Sequence, residues 1–256
     1  VSLELAVCAE MVFLDLPFTQ RVEKIHELGF AVEMWDSRTK DIAALAATGA
    51  NFSSMTGYSA GSLIDPDSCG EVLRTAAELV PAALELGIER LVVHPAELID
   101  GQAARPLFRA TGQMWLTAAR TLEKLGELGA EHGLVFTVEN LNTVLDHPGI
   151  PLARAKDTLA LVAGVGHPNV KMMLDLYHAQ IGEGNLIALL RDSIDHLGEV
   201  QVADVPGRCE PGTGEINYPA IAAALRALGY TGTVGLEGWA SGDSEAALAG
   251  FRNAFA

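Results

Sequence analysis

Cysteine is scarce in this chain. The three present, Cys8, Cys69 and Cys209, are odd in number and scattered, without CxxC spacing. That pattern argues against a disulfide framework and against a thiolate zinc site. Basic residues are few as well: 17 Lys plus Arg stand against 33 Asp plus Glu, a formal charge of −16. Such a balance argues against a surface that follows phosphate backbones, so nucleic acid is not an expected partner. Long apolar runs are missing too. Each is cut by Asp, Glu, Arg, Gly or Pro before the roughly 18 residues that a membrane span needs, and no membrane partner is expected. The opening stretch LELAVCAEMVFLDLPF carries acidic residues where a secretory leader has a basic segment. A cytoplasmic location is the expectation.

What the chain does have is enough apolar material for one core. Hydrophobic residues make up 49% of its 256 residues, and no low-complexity tract interrupts them. That excludes disorder and fits a single domain over residues 1–256. Short apolar, β-branched runs alternate with amphipathic stretches. The runs are LELAVC (3–8), AVEMW (31–35), NFSSM (51–55), RLVVH (90–94), LVFTVE (134–139), VKMMLD (170–175), EVQVAD (199–204) and TVGLE (233–237). They read as buried strands, and stretches such as TAAELVPAALEL and MWLTAARTLEKLGELGAEH read as helices. Gly29, Gly49, Gly87, Gly133, Gly198 and Gly229 lie just before strands, where a left-handed cap ends a helix. Strand followed by helix eight times predicts an α/β fold of the (β/α)₈ TIM barrel type. A doubly wound open sheet is the competing architecture, without a GxGxxG after its first strand to support it. The longest irregular pieces are expected after strands 3, 5 and 7, on the face that carries active sites in barrels.

Strands covered on both faces should be apolar throughout. Four of these break the rule in one chemical direction. Glu139, Asp175 and Glu237 end strands 5, 6 and 8, while strand 7 carries Gln201 with Asp204 following. One acid at a strand end is ordinarily a loop cap or an ion-pair partner. Several converging on one barrel mouth repel each other unless something neutralises them, and a divalent cation does so economically. Oxygen donors without thiolate favour Mg²⁺ or Mn²⁺. His178, three residues past Asp175, is either a capping group or a donor to a substrate oxygen. Arg208, in the loop VPGRCEPGTGE, either bridges to Glu210 or Glu215 or holds a substrate oxyanion. His94 is a further substrate-binding candidate, although Pro95 beside it suggests a structural turn. Trp35 reads as a barrel-lining residue or an apolar wall of the pocket.

The segments VEN (138–140), MMLDLYHAQ (172–180), VQVADVPGRCEPGTGEINY (200–218) and VGLE (234–237) occur in this order. Together they resemble the hydroxypyruvate isomerase family, among the xylose-isomerase-like barrels that also include ketose 3-epimerases. A weaker likeness runs through LPFTQRVEKIHELGFAVEMWD (16–36). The resemblance implies a metal site made of Glu139, Asp175, Gln201 and Glu237, with the two glutamates as catalytic proton carriers. It also implies that His178 and Arg208 hold a small carbonyl substrate. Gln201 fits the isomerase branch, whereas Gly238, Trp239 and Ala240 depart from its usual continuation. A ketose 3-epimerase, a sugar or keto-acid dehydratase, a non-catalytic sugar-binding barrel and an abasic-site endonuclease are the alternatives. The charge weighs against the last.

Overall fold

The computed structural model describes residues 3–256. Eight parallel strands close into a barrel: β1 (Glu4–Cys8), β2 (Ala31–Met34), β3 (Phe52–Thr56), β4 (Arg90–Val93), β5 (Val135–Glu139), β6 (Val170–Asp175), β7 (Leu197–Val202) and β8 (Thr233–Leu236). Each pairs with the next, and β8 pairs back onto β1 with Glu4 opposite Thr233 and Val7 opposite Leu236. This closure selects the barrel over the open sheet.

Nine helices lie outside among the described residues: α1 (Phe18–Glu27), α2 (Ile42–Ala47), α3 (Cys69–Leu86), α4 (Gly112–His132), α5 (Ala155–Val165), α6 (Leu176–Gly182), α7 (Leu186–Ser193), α8 (Tyr218–Ala227) and α9 (Ser244–Ala254). The side chains of Asp41, Asn217 and Asp243 accept backbone N–H bonds at the starts of α2, α8 and α9. Such caps satisfy donors that a helix start leaves unpaired. None of these helices is long and apolar enough to cross a membrane, and the three cysteines are free.

Strand side chains alternate between the two faces of the sheet. The outward set, including Val7, Val32, Met55, Leu91, Phe136, Val138, Met172, Leu174, Val200 and Val234, is buried and belongs to the continuous hydrophobic core. The inward set is different. Ala6, Ser54, Thr137 and Gly235 are small, Cys8, Val92 and Met173 are apolar, and Glu33, Glu199 and Gln201 are buried among the barrel strands. The expectation of apolar strands therefore holds on the outer face only.

Two local readings need correction. Gly198 does not cap a helix but lies inside β7, where the register against β6 slips. A Cβ there would meet Thr137 Cγ2 at 2.7 Å and Lys171 Cβ at 3.0 Å, so contact with neighbouring strands is what requires glycine. The loop over 94–111, after β4, also belongs with the long ones. It holds a hairpin in which Leu98–Ile99 pairs with Gln102–Ala103. Asp100 and Gly101 turn it with φ of 50° and 75°, the two positive values of a type I′ turn.

Candidate active site

The carboxyl ends of the strands surround a cavity of about 490 Å³. Its lining includes Trp35, His94, Glu139, His178, Gln201, Arg208 and Glu237, from the ends of β2 and β4 through the strands and loops to β8. Asp175 sits among them, buried at the end of β6.

Two asparagines fix the acidic corner. Asn140 donates to the Asp175 carbonyl at 3.0 Å and accepts from the Asp175 N–H at 2.9 Å, locking the ends of β5 and β6 together. Asp175 then caps α6, its Oδ1 accepting the His178 N–H at 2.9 Å. The His178 side chain is thus not the capping group. Asn142 Oδ1 accepts from the backbone N–H groups of Leu145 and Asp146, so its Nδ2 must be the donor to His178 Nδ1 at 2.8 Å. A neutral imidazole that accepts at Nδ1 carries its proton on Nε2. Burial, helped by the Arg208 charge, holds His178 well below its usual range and therefore neutral. Its Nε2 is buried, has no hydrogen-bond partner, and lies 3.7 Å from both Glu139 Oε1 and Asp175 Oδ2. Glu139, Asp175 and His178 have potential ligand atoms within 4.8 Å of one another. The tautomer makes His178 Nε2 a donor, which leaves the carboxylates as the metal-type ligands of that trio.

His94 has both ring nitrogens engaged. Nε2 lies 3.0 Å from Glu139 Oε2 and Nδ1 lies 3.1 Å from the Tyr58 hydroxyl. Burial lowers its pKa to about 4. The neutral ring thus steadies Glu139 and has no free nitrogen for substrate. Sequence reading missed Tyr58, which nothing local marks as polar machinery.

Arg208 bridges to neither Glu210 nor Glu215. Its Nη2 meets Glu237 Oε2 at 2.5 Å and comes within 3.9 Å of Asp175 Oδ2. Asp204 builds the loop that delivers it: one carboxylate accepts the N–H groups of Val205, Gly212 and Ile216. Asp204 is therefore a loop organiser. Burial works against the Arg208 charge, but Glu237, Asp175 and Glu139 hold its pKa above the ordinary value. Trp35 donates its indole N–H to Glu237 Oε1 at 2.7 Å, more than an apolar wall. Gln201 donates its amide to Glu33 Oε1, a residue hidden from sequence reading inside the run AVEMW.

The donor set suits a divalent cation. Burial pushes the Glu139 carboxyl well above its ordinary range, Glu237 adds to this, and Arg208 offsets part of it. Asp175 is likewise raised by burial, against the pull of Arg208. Gln201 Oε1 is buried without a partner. Anions crowded beside an unpaired carbonyl oxygen match a hard ion that binds through oxygen.

Residues 19–254 match the family model described as xylose isomerase-like TIM barrel. A 2-oxo-tetronate isomerase of Cupriavidus necator is 37% identical over 152 residues, covering 59% of this chain and 55% of that one. That match spans about half of the relative's length. A putative hydroxypyruvate isomerase of Streptomyces coelicolor is 30% identical over 251 residues, 89% of this chain and 87% of the relative. Among solved structures, one described as an AP endonuclease of family 2 from Brucella melitensis superposes with a TM-score of 0.85 at 28% identity, covering 98% of both chains. A model match over nearly the whole barrel joins a closed sheet whose strand ends gather Glu139, Asp175, Gln201 and Glu237. The chain belongs to the xylose isomerase-like TIM barrel family.

Proposed function

We propose that this protein is a divalent-cation-dependent isomerase of a small hydroxy-carbonyl acid or sugar, working by proton transfer beside a carbonyl. The observation that carries this reading is the pair Glu139 and Glu237, two buried glutamates from different strands facing one cavity. The names of the relatives, 2-oxo-tetronate isomerase and putative hydroxypyruvate isomerase, support the reaction class.

Removing a proton from carbon beside a carbonyl is slow in water because the carbanion is poorly stabilised. A bound Mg²⁺ or Mn²⁺, held by Glu139, Asp175, Gln201 and Glu237, would supply Lewis-acid stabilisation of the negative charge developing on oxygen. One glutamate takes the proton from carbon and the other returns one at the neighbouring carbon, while the hydroxyl proton passes to the former carbonyl oxygen. Glu139 is oriented for this by His94, and Glu237 by Trp35 and Arg208. The unpartnered Nε2–H of His178 donates to a substrate oxygen. Arg208 Nε, buried and also without a partner, offers a second donor at the same wall.

Solvent exchange tests the reading directly. Substrates deuterated beside the carbonyl (hydroxypyruvate, tartronate semialdehyde, four-carbon oxo acids and free ketoses) are incubated with protein and Mg²⁺ or Mn²⁺. Metal-dependent loss of deuterium to water from at least one is expected. No loss from any of them overturns the proposal.

The solved AP endonuclease raises a second reading, nuclease action on abasic DNA. Charge opposes it: the molecule carries −16, and Asp36, Glu97 and Asp100 line the same cavity. Phosphate backbones require the opposite sign. Tight, salt-dependent binding to an abasic duplex would reverse this preference.

A further inference from the structure

The structure assigns a positioning role to Glu33: it holds the Gln201 amide in the one sense that leaves its carbonyl oxygen free for the cation. This rests on the metal-site reading proposed above. Strand β2 contributes no candidate ligand, yet two of its neighbouring side chains each hold one. Trp35 donates to Glu237, and Glu33 Oε1 accepts from Gln201 Nε2. An amide presents a donor and an acceptor on the same fork, so rotating it by half a turn exchanges NH₂ for C=O. A hard cation takes the oxygen only. Left alone, the two senses differ little in energy. Burial, with Glu237 and Glu199 nearby, raises the Glu33 carboxyl well above its ordinary range, and the Gln201 hydrogen bond pulls against this. With Oε1 as the acceptor, the flipped amide would set oxygen against oxygen. With Glu33 taking the NH₂, Gln201 Oε1 is left buried and without a partner, as a vacant ligand should be.

The barrel makes room for this contact. Gly235 on β8 lies in register with Gln201 on β7. Its φ is not among the positive ones, so backbone freedom does not explain the glycine. Space does: a Cβ at this position would stand 2.5 Å from Glu33 Oε2. Glu33 itself is 2% exposed, and its Oε2 has no partner. Burying a carboxyl in this way costs stability. The orientation of Gln201 is what the contact returns.

Mn²⁺ binding to the metal-free protein, followed by calorimetry and by the Mn²⁺ spin resonance signal, tests this without reference to turnover. Loss of a group that orients a metal ligand typically weakens metal affinity by about 10- to 100-fold, and E33L should fall in that range. E33Q presents both a donor and an acceptor to the Gln201 amide, selects its sense only in part, and should fall between wild type and E33L. Q201A should lose a similar amount, and E33L/Q201A no more than Q201A alone, because both changes remove one ligand. G235A, which crowds Glu33 without touching its chemistry, should move affinity toward that of E33L. Wild-type affinity in E33L overturns the inference, as do multiplying losses in the double variant. If E33L does not fold, wild-type affinity in G235A serves to overturn it. Wild-type protein that binds no Mn²⁺ would overturn the metal reading itself and this inference with it. Wild-type binding with an unaffected E33L overturns this inference alone.

Discussion

Arg208 stands between acids from two strands, and this governs what its removal should do. A substrate carboxylate needs a cationic partner, and the planar guanidinium can meet it through two hydrogen bonds. Arg208→Ala should raise KM for acidic substrates by about 1.5–3 kcal/mol in binding, the worth of charged hydrogen bonds, and affect neutral ketoses less. Arg208→Lys keeps the charge but not the fork and should not rescue binding. KM for one acidic and one neutral substrate in each protein decides the matter. Equal losses on both would point to a neutral-sugar epimerase. Glu139→Gln and Glu237→Gln keep shape and remove the proton carrier. Each should lower turnover by at least about 10²-fold, the lower end for acid–base groups. Turnover near wild type in either would remove that residue from the mechanism.

At the scale of elements, the strands carry two tasks on two faces. Outward residues bind the helices through burial of apolar surface, and inward residues build polar machinery and its supports. Gly198 shows how tightly the inner layer is packed, since a methyl there would press on Thr137 and Lys171. Gly198→Ala should therefore destabilise by about 1–3 kcal/mol, the usual result of overpacking. A lowered urea midpoint at unchanged slope would show it. A midpoint equal to wild type would mean that β7 can shift at its register slip without loss. The hairpin Leu98–Ala103 is a contrasting element. Its Asp-Gly turn is set locally, and it hangs over the cavity through contacts such as His147 Nδ1 with the Gly101 carbonyl at 2.7 Å.

For the whole molecule, the cost of a polar interior should appear in the pH dependence of stability. Burial raises the Glu199 carboxyl from 4.5 to about 7, and the Arg90 charge opposes the shift. The folded protein keeps a proton there that the unfolded chain releases between pH 4.5 and 7. Fewer protons are bound in the unfolded state over that window, so stability falls as pH rises through it. The contribution is on the order of 3 kcal/mol. Glu199→Gln removes the titration and keeps the volume. Its Tm should exceed that of wild type at pH 8 and approach it near pH 4.5. A constant Tm difference between the two proteins from pH 4.5 to 8 would rule out Glu199 as the titrating group.

The sequence by itself determined the eight strands, because β-branched runs between helical stretches mark them locally, while closure of the sheet chose the barrel over the open alternative. It also marked Glu139, Asp175 and Glu237, and Gln201 with Asp204, as polar residues where buried strands end. The family resemblance singled out Gln201 among the last two, and Asp204 proved to organise a loop. The fold decided the rest. Period-two alternation says that neighbouring side chains point oppositely but not which face closes inward, so Glu33 inside AVEMW passed as one more buried strand residue. Trp35 and Glu237 are 202 positions apart and meet only because β8 closes onto β1 beside β2. Arg208 looked to local acids, Glu210 and Glu215, while closure offered it Glu237. The tautomer of His178, in α6, depended on Asn142, 36 residues away in the loop after β5. Strand content follows from local chemistry, whereas orientation of each site group follows from barrel closure and register, which no local pattern encodes.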